Sequence, residues 1–84
     1  VDDDGATAAV RDQVTALVKC IDPAIAIHDF RMVPGPTHTN LIFDVVTPFG
    51  FRLEDAEVAR QLRALIRTFD SHYVPVIQVE HSYI

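Results

Sequence analysis

Apolar residues recur at helical spacing between Ala8 and Ile21, at Val10, Val14, Leu17, Val18 and Ile21, while Arg11, Asp12, Gln13 and Lys19 fall off that stripe. The pattern predicts an amphipathic helix with one face on a sheet. Thr7 is its candidate cap, and Asp22-Pro23 stops it, because the residue before a proline is pushed out of the α region. Ile25 to Val33 reads as a strand whose Ile25/Ile27 and Phe30/Met32 pairs are out of phase, and a bulge near His28-Asp29 reconciles them. The turn Pro34-Gly35-Pro36-Thr37 leads into a second strand, Asn40 to Thr47, rich in β-branched residues. Strands so closely joined predict an antiparallel hairpin. Pro48-Phe49-Gly50-Phe51 breaks the pattern before a second helix, Glu54 to Phe69, with Val58, Leu62, Leu65, Ile66 and Phe69 on one stripe. Asp55 and Glu57 at its start and Arg67 at its end suit the helix dipole. Asp70-Ser71 closes it, and Tyr73 to Val79, reaching toward Ser82, is a last strand that Pro75 assigns to an edge or an irregular start.

The order α-β-β-α-β gives an α/β (α+β) fold, an open-faced sandwich with both helices on one side of a three-stranded mixed sheet. The crossover through the second helix should be right-handed. The other side of the sheet lacks a helix, and apolar residues pointing that way predict a homodimer. Asp44 interrupts Leu41-Ile42-Phe43 and Val45-Val46, where a carboxylate costs stability unless it is exposed or paired. Strand parity groups it with Ile42 and Val46, opposite Leu41, Phe43 and Val45, and so places it on the open, subunit-facing side.

Eighty-four residues make one small domain with a thin core. Residues 1–6, with Asp2-Asp3-Asp4, are expected as a solvated linker end, and residues 7–84 as the domain. The chain has no initiator Met, basic-then-apolar leader or lipidation signal, which leads us to expect a piece of a longer protein. No apolar stretch is long enough to insert this fragment into a bilayer. The net charge of −5 argues against a nucleic-acid or anionic-membrane binder. A single cysteine, Cys20, excludes an internal disulfide and a thiolate metal cluster, and its place near the end of the first helix predicts a part-buried hydrophobe.

Enzyme motifs are absent: there is no HExxH, no P-loop, no GxGxxG and no nucleophile elbow. Metal ligation stays open, because ligands converge in space rather than in sequence. His28 on the first strand, Asp44 on the second and His81 at the end of the third supply two imidazoles and a carboxylate, a set suited to a borderline cation such as Zn²⁺. The other reading of the same residues makes His28 a strand histidine bonded to backbone and His81 a solvated terminal residue. His38 belongs to the hairpin turn and is expected to be solvated, and His72 to cap or donate locally. Arg60, Arg63 and Arg67 form a basic stripe, read as a solvated helix face.

The run Ile27-His28-Asp29-Phe30-Arg31-Met32-Val33, then Gly35-Pro36-Thr37-His38-Thr39-Asn40 and Leu41-Ile42-Phe43-Asp44-Val45-Val46, resembles the C-terminal cytoplasmic domain of cation diffusion facilitator transporters. The closing Val76-Ile77-Gln78-Val79-Glu80-His81-Ser82-Tyr83-Ile84 is similar to the end of that domain. The resemblance implies a ferredoxin-like or metallochaperone-like fold that dimerises on the cytoplasmic side of the inner membrane, attached to a transmembrane domain. It also implies that the parent protein exports Zn²⁺, Mn²⁺, Fe²⁺ or a related divalent cation in exchange for protons. Within it, His28 matches the histidine of a His-Asp element. Asp44 stands where many members carry histidine and His81 where many carry aspartate. Val79 replaces a second histidine, and Ala56 and Glu57 lie near another that is missing. At most a single-ion site at His28, Asp44 and His81 is left.

The expected role is therefore non-enzymatic: a dimerisation and metal-sensing regulatory domain of a proton-coupled cation exporter. Both imidazoles must be neutral to ligate, so binding is expected to weaken below about pH 6.5, where a free imidazole takes up a proton. Two alternatives are a purely structural dimerisation module and a free-standing soluble metal-binding protein.

Overall fold

The computed structural model of the chain describes residues 4–83. Its elements are α1 (Asp4–Ile21), β1 (Ala26–Pro34), β2 (Thr39–Pro48), α2 (Asp55–Phe69) and β3 (Tyr73–Ser82). The expected order holds, and the three-stranded sheet runs β1-β2-β3, antiparallel between β1 and β2 and parallel between β2 and β3. The connections explain the mixture: the short turn between β1 and β2 can only reverse the chain, whereas α2 carries it back to start β3 beside the start of β2.

α1 begins earlier than the periodicity alone predicts. Asp4, Gly5 and Ala6 are helical, and Thr7 lies inside the helix rather than capping it. Acidic residues are favourable at the positive end of a helix, which accounts for the extension. The expected linker residues Val1, Asp2 and Asp3 lie outside the described residues.

The core forms where the three apolar patterns meet. Val10, Val14 and Val18 of α1, Leu41, Phe43 and Val45 of β2, and Val58, Leu62 and Ile66 of α2 are buried together with Ile25. Every second residue of β2 therefore faces both helices, and among the described residues no layer covers the sheet's other side. Phe30 stacks on Phe43 with ring centroids 5.6 Å apart, which extends the core toward the β1 edge.

β1 reaches that arrangement through a bulge. His28 pairs with Asp44 and Arg31 with Ile42, so Asp29 and Phe30 together stand opposite Phe43. Asp29 takes φ 56°, in the left-handed region, which rephases the strand so that Ile27, Phe30 and Met32 all pack on the core. The hairpin closes on Gly35, whose N–H donates to the His38 carbonyl at 2.9 Å. A Cβ at position 35 would stand 2.9 Å from that oxygen, so the turn is built for glycine. Cys20, expected to be part-buried, is exposed, because it lies at the outer edge of the α1 stripe.

Candidate functional site

The open face of the sheet is laid out by register. Across it run the rows Val33–Asn40–Val74, Arg31–Ile42–Val76, His28–Asp44–Gln78 and Ala26–Val46–Glu80. Val33, Val74 and Val76 are 48%, 40% and 49% exposed. Ile42, beside Val76, and Val46, beyond Asp44 on the same strand, are half-buried. Three of the four rows thus carry two apolar residues each, and the row of His28, Asp44 and Gln78 is polar throughout.

His28 and Asp44 are directly opposed on neighbouring strands, a relation that sets Cβ atoms about 4.5–5.5 Å apart. His28 is exposed and Asp44 half-buried. Neither side chain has a hydrogen bond or ion pair among the described residues. Beside them, at the bulge, lies a depression of about 520 Å³ lined by Asp29, Phe30, Arg31, Ile42, Phe43 and Asp44. The expectation that Asp44 points to the open side is met, and the bulge gives the reason for the depression: the extra residue pulls β1 away from regular pairing.

His81 does not join this pair. It pairs in register with Thr47, on the helix-facing parity of β2, and both ring nitrogens are engaged there. Nδ1 lies 3.0 Å from the Thr47 hydroxyl, and Nε2 lies 3.0 Å from Oδ1 of Asp55 in the first turn of α2. With its proton on Nε2, the ring donates to the Asp55 carboxylate and accepts the Thr47 O–H. The three ligands expected from sequence are therefore split between the two sides of the sheet. The β3 residue in the row of His28 and Asp44 is Gln78. Among the described residues, no three His, Cys, Asp or Glu side chains stand together as an ion site. The fold therefore brings His28 and Asp44 together and leaves His81 apart from them.

Sequence reasoning missed what His81 and His72 do. Thr39 and Thr47 are the buried polar residues of the core. Each hydroxyl meets a histidine carried by or leading into β3: His72 Nε2 lies 3.0 Å from Thr39 Oγ1, and His81 serves Thr47 as above. The two histidines thus lace β3 to the central strand at its ends. The signal was present, since Thr39 and Thr47 share the parity of Leu41, Phe43 and Val45, and a buried hydroxyl requires a partner. His38 is exposed in the turn, with Nδ1 3.0 Å from the Thr37 hydroxyl.

Around α2 the charges are arranged locally. The Arg60 guanidinium, and after it the Gln61 amide, hold the Glu57 carboxyl down at about 2. The contacts are 3.0 Å from Arg60 Nε and 2.8 Å from Gln61 Nε2. Arg52 reaches from the β2–α2 loop to Asp22 at 3.1 Å and to the Ile21 carbonyl at 3.1 Å, placing a cation at the negative end of α1.

No protein-family model, curated protein or solved structure matches the chain. Among the described residues no helix is long and apolar enough to cross a membrane.

Proposed function

We propose that this chain is the cytoplasmic dimerisation and metal-sensing regulatory domain of a proton-coupled divalent-cation efflux transporter, and that it carries no catalytic activity. The observation that supports the reading most is the uncovered side of the sheet, with its three half-exposed valines and the unpartnered His28–Asp44 pair beside them. The resemblance of the hairpin and the closing strand to the cation diffusion facilitator domain supplies the transporter part.

The energetics favour a weak, adjustable dimer. Burying a valine fully is worth about 1.5 kcal/mol. The half-exposed Val33, Val74 and Val76 of two copies then contribute on the order of 5 kcal/mol. Association itself costs about 4–15 kcal/mol, so these valines leave at most about 1 kcal/mol, and the further stabilisation that a dimer at millimolar concentration needs has to come from Ile42, Val46 and the polar row on the same side of the sheet. Attachment to a membrane domain holds two copies at an effective concentration in the millimolar range. Closing the open sides on each other also brings two Asp44 carboxylates toward a drying interface, which opposes closure. A Zn²⁺, Mn²⁺ or Fe²⁺ ion held by His28 and Asp44 of both copies would cancel that repulsion. Because it binds the closed pair better than the open one, it raises the closed population and biases the attached membrane segment.

The occupied ring of His81 favours a second reading, in which the domain is a purely structural dimerisation module. Small-angle scattering and sedimentation during titration with Zn²⁺ and Mn²⁺ separate the two. The sensing role predicts a saturable rise from the monomer toward the dimer mass that is abolished in His28→Ala/Asp44→Ala and retained in His81→Ala. Absence of binding above buffer level, or an unchanged response in the double variant, refutes it and leaves the structural role.

A further inference from the structure

We propose that the depression between the C-terminal half of α2 and the start of β3 is an oxyanion site that takes a phosphate group. It measures about 220 Å³ and is lined by Arg63, Arg67, Ser71, Tyr73, Val74 and Pro75. Arg63 and Arg67 are one helical turn apart, so both guanidinium groups project from one side of α2.

Their lack of partners sets them apart from the other basic residues except Arg31, which stands alone on β1 and is likewise without an ion pair or hydrogen bond among the described residues. Arg11 pairs with Asp12, Arg52 with Asp22 and Arg60 with Glu57. Lys19 donates to the Pro23 and Ile25 carbonyls at 3.0 and 2.6 Å. Among the described residues, Arg63 and Arg67 have no ion pair or hydrogen bond, and the hydroxyl groups of Ser71 and Tyr73 have no hydrogen bond either. Composition does not force this, because twelve acidic residues face seven basic ones in the chain. Two like charges at this spacing repel each other, and an anion between them removes the repulsion. Guanidinium forks match the oxygen geometry of phosphate, and a serine hydroxyl adds a donor. The negative end of α2 opposes an anion here, so affinity for inorganic phosphate should be only about millimolar.

The same chemistry is offered by a soluble phosphate ester and by an anionic phospholipid headgroup. Titration of the 84-residue chain with inorganic phosphate at constant ionic strength, followed by NMR of the arginine Nε and backbone amide signals, tests the site. Saturable shifts are expected at Arg63, Arg67 and Ser71 but not at Arg11 or Arg31. Arg63→Gln and Arg67→Gln should each weaken binding about tenfold, with folding checked by circular dichroism, and Arg31→Gln should leave it unchanged. Shifts of equal size at Arg31, or shifts that persist in the double variant, overturn the proposal. Flotation with phosphatidylcholine vesicles containing phosphatidic acid identifies the source. Arginine-dependent flotation points to a headgroup, and phosphate binding without flotation points to a soluble ester. Failure of both probes refutes the site.

Discussion

Replacing Asp29 probes the bulge on which the open face depends. Its φ of 56° is a conformation that costs an ordinary L residue about 1–2 kcal/mol, and aspartate less, because its short polar side chain is better tolerated there. Glycine removes that cost but loses about 0.5–1 kcal/mol through the greater freedom of the unfolded chain. The opposing terms nearly cancel, so Asp29→Gly should lie between neutral and about 1 kcal/mol more stable. A β-branched side chain meets the full steric cost, and measured against the smaller cost that aspartate already carries, Asp29→Val should lose about 1 kcal/mol. In a domain of this length each kcal/mol moves the melting midpoint by about 4–8 °C. Urea and thermal unfolding of the aspartate, glycine, asparagine and valine forms should rank valine clearly last. Removing Asp29 altogether should leave a folded protein, because Ile27, Phe30 and Met32 then alternate regularly without the extra residue. A valine form within about 0.3 kcal/mol of the parent would refute the left-handed bulge, since that difference lies inside ordinary surface-substitution noise.

Two further outcomes follow from the histidine laces and the α2 charges. His81→Ala leaves the Thr47 hydroxyl, 2% exposed, without its partner and should cost about 1–3 kcal/mol; Thr47→Val leaves only a ring nitrogen that water reaches and should cost less. The double variant should lose less than the two singles together, and strict additivity in a urea double-mutant cycle would contradict the bond. Glu57, held down at about 2 against the usual 4.5, binds fewer protons in the folded state than in the unfolded one. Its contribution is full above pH 4.5 and fades as pH falls toward 2. The urea midpoint of Glu57→Gln should therefore lie below that of the parent near neutrality and converge with it in acid, and a gap that stays constant across that window would contradict the pairing.

Much of this architecture is legible in the chain because each layer has one dry side. The α1 and α2 stripes, the alternation of Leu41, Phe43 and Val45, and the phase break between Ile27 and Phe30 each follow from where water is excluded. Asp44 was placed correctly by the same parity. His81 was not, and the reason is instructive. It shares parity with Ile77 and Val79, which face the helices, but it stands at a strand end where exposure hides the alternation. The Thr47 and Asp55 groups that hold it come from parts of the chain 34 and 26 residues away. Such pairings depend on register between β2 and β3 and on where α2 begins, and periodicity does not report either. The early start of α1 was missed because acidic residues suit both a solvated segment and a first helical turn.

The account depends most on the uncovered side of the sheet meeting its copy in a second chain. Sedimentation equilibrium of the chain and of Val76→Glu, from about 50 μM to 2 mM, tests this most directly, because the expected association is weak. The parent should rise from its monomer mass of 9.4 kDa toward twice that value as concentration increases, and the glutamate form should stay monomeric throughout. A parent that remains monomeric at the highest concentration, or a glutamate form that associates equally well, would contradict the claim.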